Sequence, residues 1–266
     1  MLCSRKERLE MRGSFNFKQT NEPWNKFNLN QAWTIGLMTL IISNKNFNNF
    51  SEWENYYFES GKERQNLLSH LDKDKALKLR DLTANYTNPY RYKEHLSIEE
   101  VRINENYGRT IDEIRYLSDK FHGYLSQSLP KLNISRAVCF NYVYIRIIDE
   151  IYIGFEREVN TIKRLRKLFK DYSFVKTDFE TDRKFAIDVE VYYKNILVCG
   201  IQIKSVAYKI NNKNILKETK SFNHTKNEKY EKINNVPVVY VYSSTEGFIQ
   251  NTEIFEFLRT YKKDAK

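Results

Sequence analysis

The segment Phe185–Ser205, FAIDVEVYYKNILVCGIQIKS, constrains the fold more than any other part of the chain. Two runs rich in β-branched and aromatic residues flank Lys194–Asn195, and apolar and polar residues alternate along each, the period of a strand with one buried face. Alternation predicts Ile187, Val189, Val191 and Tyr193 on one face and Ala186, Asp188, Glu190 and Tyr192 on the other. In the second run Cys199, Ile201 and Ile203 share a face, leaving Gly200, Gln202 and Lys204 opposite. A one-residue slip exchanges the faces, so burying the apolar residues together calls for a loop of odd length around Asn195, which sets Asp188 against Gln202. An even loop would place Asp188 opposite an isoleucine.

Two strands then present Asp188, Glu190, Gln202 and Lys204 on one surface. Carboxylate and amide oxygens are hard ligands suited to Mg²⁺, and a lysine beside them can orient a water and balance developing charge. The set therefore suits metal-assisted hydrolysis of a phosphodiester; the plain alternative is a hairpin whose polar face meets water. Upstream, a helix predicted from Gly154 to about Lys170 puts Glu158, Ile162, Leu165 and Phe169 on one face, with Lys163, Arg166, Lys167 and Lys170 on another. A carboxylate in an apolar stripe is costly unless partnered, so Glu158 should meet a metal, a lysine or a hydrogen-bond donor, or else cap or pair near the helix start. An apolar run over Val236–Tyr242 and a helical face of Ile254, Phe255, Leu258 and Tyr261 complete the order α, β, β, β, α.

Before residue 150 the pattern is helical, which divides the chain into residues 1–150 and 151–266. Ser51 with Glu54 reads as a capping box and Gly61 as the stop of a short aromatic helix. Thr110 with Glu113 starts a second helix carrying Ile111, Ile114, Leu117 and Phe121, and a third run covers Ser135 to Ile148. Trp33, Trp53, Tyr56, Tyr57 and Phe58 read as core and interface.

The chain has 44 Lys+Arg against 34 Asp+Glu, a formal charge of +10, which points to an anionic partner, nucleic acid first. An AT-rich coding sequence would account for part of that Lys, Asn, Ile and Tyr excess. Arg109 precedes the helix start at Thr110, so its charge and the helix N–H groups form a candidate anion site, unless the cap is structural only. In Asn85–His95, Arg91 and Lys93 alternate with Tyr90 and Tyr92, suited to contacting phosphates and bases or to lying as a plain surface loop. Lys163 and Lys167 either track a DNA backbone or form a solvated helix face. Cys3, Cys139 and Cys199 are odd in number and dispersed, and the four histidines lack zinc spacing, so neither disulfide nor zinc is indicated. Trp33–Ser43 is too short to span a membrane, and Ala137–Phe155 is interrupted by Arg146, Asp149 and Glu150, so a soluble cytoplasmic protein is expected.

Gly154-x-x-x-Glu158, then Asp188, then Gln202-x-Lys204, resembles the PD-(D/E)xK nuclease signature in order and type. The stretches Ile187–Glu190 and Cys199–Lys204, with Asn106-Tyr107-Gly108-Arg109-Thr110 upstream, are similar to type II restriction endonucleases of the MjaI type. The resemblance implies an α/β, restriction-endonuclease-like core behind a mostly helical N-terminal region that helps to read DNA and to dimerise. It implies a homodimer making Mg²⁺-dependent double-strand cuts, with Mn²⁺ as a substitute, at a short sequence in double-stranded DNA, and a cognate DNA methyltransferase as genetic partner. Asp188 would bind the metal, Gln202 would be a neutral ligand or hold a water, and Lys204 would position the nucleophile. Ile187 replaces the signature proline and Gln202 the first acid of the last element, so Glu158 or Glu190 must supply the second carboxylate. Two other readings stay open: a structure-specific nuclease of the junction-resolvase kind, and a non-catalytic DNA-binding protein on a degenerate nuclease fold.

Overall fold

The computed structural model describes residues 1–26, 45–62, 66, 69–74, 109–210 and 214–264. They form two compact units, Met1–Tyr152 and Ile153–Lys266.

The first unit is helical: α1 (Arg5–Gly13), α2 (Phe15–Gln19), α3 (Asn21–Lys26), α4 (Phe50–Glu59), α5 (Ile111–Ser128) and α6 (Arg136–Tyr144). Thr110 caps α5 as predicted: its hydroxyl accepts from the Glu113 N–H at 3.2 Å, and the Glu113 carboxylate accepts from the Arg109 N–H at 3.1 Å. Ile114, Leu117 and Phe121 are buried along that helix, with Leu125 one turn further. The cap of α4 is Asn49, two residues before the predicted Ser51. Phe50, Trp53 and Tyr57 form the buried stripe of α4, so the helix must begin ahead of Phe50, while Glu54 instead accepts from the Tyr144 hydroxyl at 2.6 Å. Gly61, predicted as the helix stop, lies beyond it, since α4 closes on Ser60; the reason for glycine there is space, as a Cβ would lie 2.4 Å from the Arg109 carbonyl oxygen.

The helix capped by Ser135 does not end at Ile148. It widens over Ile145–Asp149 and continues as α7 (Glu150–Leu168), so Gly154 lies inside a helix and not ahead of one. Two of the charges that interrupt this apolar run, Arg146 and Asp149, are buried and partnered, and Glu150 pairs with Arg12 nearer the surface. Asp149 takes two hydrogen bonds from Arg8, at 2.7 and 3.0 Å, and Arg146 donates to Phe17 O, Thr20 Oγ1 and Asn21 Oδ1. Among the described residues no helix is long and apolar enough to cross a membrane.

The second unit holds most of α7, then β1 (Tyr172–Lys176), α8 (Phe179–Phe185), β2 (Val189–Tyr193), β3 (Ile196–Ser205), α9 (Val206–Ile210), α10 (Asn214–Asn234), β4 (Val238–Ser243) and α11 (Glu253–Asp264). The strands lie in the order β1-β2-β3-β4, antiparallel except for the parallel pair β3 and β4. Ile162 and Leu165 of α7, Ile254 and Leu258 of α11 and Val189, Val191, Cys199, Ile201, Ile203 and Val241 of the sheet form one core. The predicted α, β, β, β, α order lacked β1, α8, α9 and α10. Strand β1 has five residues, and Val175 in it is exposed; α8 is mostly charged, and only its last residue, Phe185, falls in a segment expected to be strand.

Helix α8 starts on Asp178, whose side chain accepts from the Thr181 N–H at 2.7 Å, and closes on Ala186 at φ 55°. Alternation therefore begins after Ile187, whose side chain lies against Gly200 and not beside Val189 as predicted. The hairpin also differs from expectation. Tyr193 pairs with Ile196, so the loop is the two residues Lys194 and Asn195, both at positive φ as a tight primed turn requires. The loop is even, yet Val191 pairs with Cys199 and Tyr192 with Leu197, so Val198 is an extra residue that shifts the register by one. The bulge does what an odd loop was predicted to do and pairs Val189 with Ile201; Asp188, just ahead of the paired residues, bonds both neighbours of Gln202, donating its N–H to the Ile201 carbonyl and accepting from the Ile203 N–H at its carboxylate.

Candidate active site

Asp188 enters β2 held from both sides. Its N–H donates to the Ile201 carbonyl at 2.9 Å, its own carbonyl accepts from the Thr177 N–H at 3.1 Å, and the Thr177 hydroxyl donates to the Ile187 carbonyl at 2.5 Å. One carboxylate oxygen accepts from the Ile203 N–H at 2.5 Å, which fixes the side chain against β3, where it is 7% exposed. Gln202 is 1% exposed, and among the described residues its amide oxygen has no hydrogen-bond partner. Lys204, half-buried, lies two residues further along β3 and pairs in register with Tyr242 of β4.

Three acids share this field. Burial, then the nearby Asp188 charge, pushes the Glu158 carboxyl up to about 7, with Lys176 and Lys204 acting against the rise. The Lys176 ammonium lies 3.7 Å from the Glu158 carboxylate, the lysine partner expected for a carboxylate in the stripe of that helix. Asp182 of α8 is raised to about 6, again by burial and then by Asp188. Burial raises Asp188 too, while Lys204 and the Ile203 hydrogen bond hold it down. Glu190 is occupied elsewhere, one oxygen accepting from the Tyr192 hydroxyl at 2.7 Å and the other from Tyr230 at 2.8 Å. Of the two acids left open as second carboxylate, Glu158 is raised in part by the Asp188 charge, and Glu190 has both oxygens in hydrogen bonds to tyrosines.

Asp182 and Lys176 did not emerge from the sequence. Asp182 lies in a charged segment whose pattern assigns no element, and Lys176 ends a strand too short to be recognised; the alternation in Tyr172–Lys176 is the available signal. Arg109 does not form the expected surface anion site: it is 3% exposed, and the cap described above takes up its N–H and the Thr110 hydroxyl. Arg91 and Lys93 lie outside the described residues, as does Trp33. Trp53 and Tyr57 are buried core, as predicted, and Lys163 and Lys167 are exposed on α7.

The MjaI restriction endonuclease family matches residues 20–254. The chain belongs to that family. No curated protein and no solved structure matches it. The match takes in both units and reaches well upstream of the motifs around Asn106 and Asp188. An MjaI-family restriction endonuclease is a nuclease of a restriction system, and its substrate is DNA.

Restriction endonucleases usually use divalent metals. Among the described residues, no three His, Cys, Asp or Glu side chains form a metal-holding group by themselves. The Gln202 amide oxygen supplies a donor of another kind, since an acceptor buried without a donor is unfavourable by about 1–3 kcal/mol and a hard cation would satisfy it. Asp188, Glu158 and Gln202 together offer only oxygens, which fits Mg²⁺ or Mn²⁺ and not a soft metal.

Proposed function

We propose that this MjaI-family enzyme makes Mg²⁺-dependent double-strand cuts at a short specific DNA sequence, with a PD-(D/E)xK site in the second unit. The observation that carries the reading is the buried amide oxygen of Gln202, without a partner among the described residues, between the two β3 residues that both bond Asp188. Asp188, Glu158 and Gln202 would hold the cation, with Mn²⁺ as its substitute. When bound, that cation polarises a phosphoryl oxygen and acidifies a water. The Ile203 N–H keeps Asp188 oriented toward β3. Lys204 orients the attacking water and balances negative charge on the phosphoryl group as it develops. Lys176 holds the Glu158 carboxylate in place through its ion pair.

Lys163 and Lys167 follow the DNA backbone, and the helical region contributes to sequence reading and to a homodimer whose two-fold axis matches a palindromic site. A DNA methyltransferase of the same specificity protects the host genome. Incubating the protein with long mixed-sequence duplex and Mg²⁺, then sequencing fragment ends, should give discrete ends that share one short sequence and vanish with EDTA. Uncut linear duplex alongside cleaved branched DNA would replace this reading with a junction-resolving nuclease. Binding with no cutting in either Mg²⁺ or Mn²⁺ would leave a DNA-binding protein on a degenerate nuclease fold.

A further inference from the structure

The turn that follows β4 is built more rigidly than a surface connection requires. Ser244 N–H donates to the Phe248 carbonyl at 3.0 Å, Gly247 N–H to the Ser244 carbonyl at 3.1 Å, and Gln250 N–H to the Tyr242 carbonyl at 2.8 Å. Gly247 has φ +80°, and a Cβ there would lie 2.6 Å from the backbone carbonyl of Asn160, so both conformation and space admit only glycine. The turn is fastened to α7 as well: Asn160 Nδ2 donates to the Thr245 carbonyl at 2.9 Å, and the Thr161 and Ser243 hydroxyls share a buried hydrogen bond at 2.7 Å. This rigid turn holds the Phe248 ring 54% exposed, with the Arg164 guanidinium 4.6 Å from its centroid.

The position of the pair matters. Strand β4 runs parallel to β3, with Tyr242 beside Lys204 and Ser243 beside Ser205, so the turn leaves the sheet at the end that carries Lys204. Its anchor Thr161 is three residues from Glu158 on α7. Lys163 and Lys167 are exposed on the same helix, and the acid of the turn, Glu246, is held below the usual carboxylate range by the Ser244 side chain first and by Arg157 least. A fixed aromatic face stacked with a cation and flanked by lysines complements a nucleotide, with its apolar base or sugar and its phosphate, better than it complements solvent.

We propose that Phe248 and Arg164 form a DNA-contacting element beside the cleavage site, Phe248 packing on a nucleotide and Arg164 on its phosphate. The inference rests on the DNA-cutting reading above and names the surface that seats the strand. Anisotropy titrations with a short fluorescein-labelled mixed-sequence duplex, over a range of salt, separate the two roles. Arg164→Ala should lower the slope of log affinity against log salt by about one unit, as one lost phosphate contact does. Phe248→Ala should weaken binding about tenfold with the slope unchanged, because stacking releases no counterion. Phe248→Trp should keep affinity, and its added emission should be quenched by the duplex. Both alanine variants binding like wild type, with Phe248→Trp emission indifferent to DNA, would overturn the proposal while wild-type cleavage left the nuclease reading intact. A wild type that neither binds nor cuts duplex DNA would remove both.

Discussion

Lys204→Ala is expected to reduce DNA cleavage by about 10²–10³-fold, the size of effect seen when one group that stabilises transition-state charge is removed. DNA affinity should change little, because affinity is spread over many phosphate contacts while the charge that develops on the phosphoryl group is met by few side chains. Lys204 is half-buried and not among the residues that form the core, but it offsets the charge of Glu158 and Asp188, so the melting transition of the variant is measured beside its activity. Single-turnover cleavage and anisotropy on the same preparation separate the two quantities. Cleavage within tenfold of wild type would take Lys204 out of the reaction, and equal losses in binding and cleavage would make it a binding residue.

Gln202→Glu should act in opposite directions with and without metal. The position is 1% exposed and next to Asp188, in a field where Glu158 and Asp182 already hold protons above the usual carboxylate range. A further carboxylate there, lacking a cation, should cost about 3 kcal/mol, a fall of roughly 10 °C in the melting transition. Mg²⁺ should reverse most of that fall and bind about tenfold more tightly than to wild type, since the added charge faces the proposed ligand set. A fall that neither Mg²⁺ nor Mn²⁺ reverses, with no gain in metal affinity, would make Gln202 a packing residue.

The hairpin shows how far residue pattern reaches. Alternation was sufficient to place Val189 against Ile201 and so to bring Asp188 to the stretch of β3 around Gln202, because burial of Val189, Val191, Cys199 and Ile201 admits one register only. It could not show the route to that register: an even turn corrected by the extra Val198 and an odd turn bury the same residues. Glu158 was legible as an acid in an apolar stripe. Lys176 and Asp182 were not, because short or charged segments such as β1 and α8 carry no period long enough to recognise. Helix α10 escaped for a related reason, its described buried positions being Asn227 and Tyr230 on an otherwise polar sequence. Arg109 marks the limit of local signals: the cap at Thr110 was correctly read, but the burial of the arginine beside it depends on segments distant in sequence, Gly61 among them.

Calorimetric titration of Mg²⁺ into the metal-free protein and into Asp188→Ala, at pH 6 and at pH 8, tests the site most directly. Glu158 titrates near 7 in the folded protein against an ordinary 4.5, so the metal-free fold binds protons more tightly than the unfolded chain and loses stability as pH rises through that interval. A cation must displace those protons, so its affinity should rise by roughly tenfold from pH 6 to pH 8, with proton release visible as a dependence of the binding heat on buffer. The expected result is pH-dependent binding in wild type and none in Asp188→Ala. Unchanged Mg²⁺ affinity in Asp188→Ala, or binding indifferent to pH, would place the metal away from Asp188, Glu158 and Gln202.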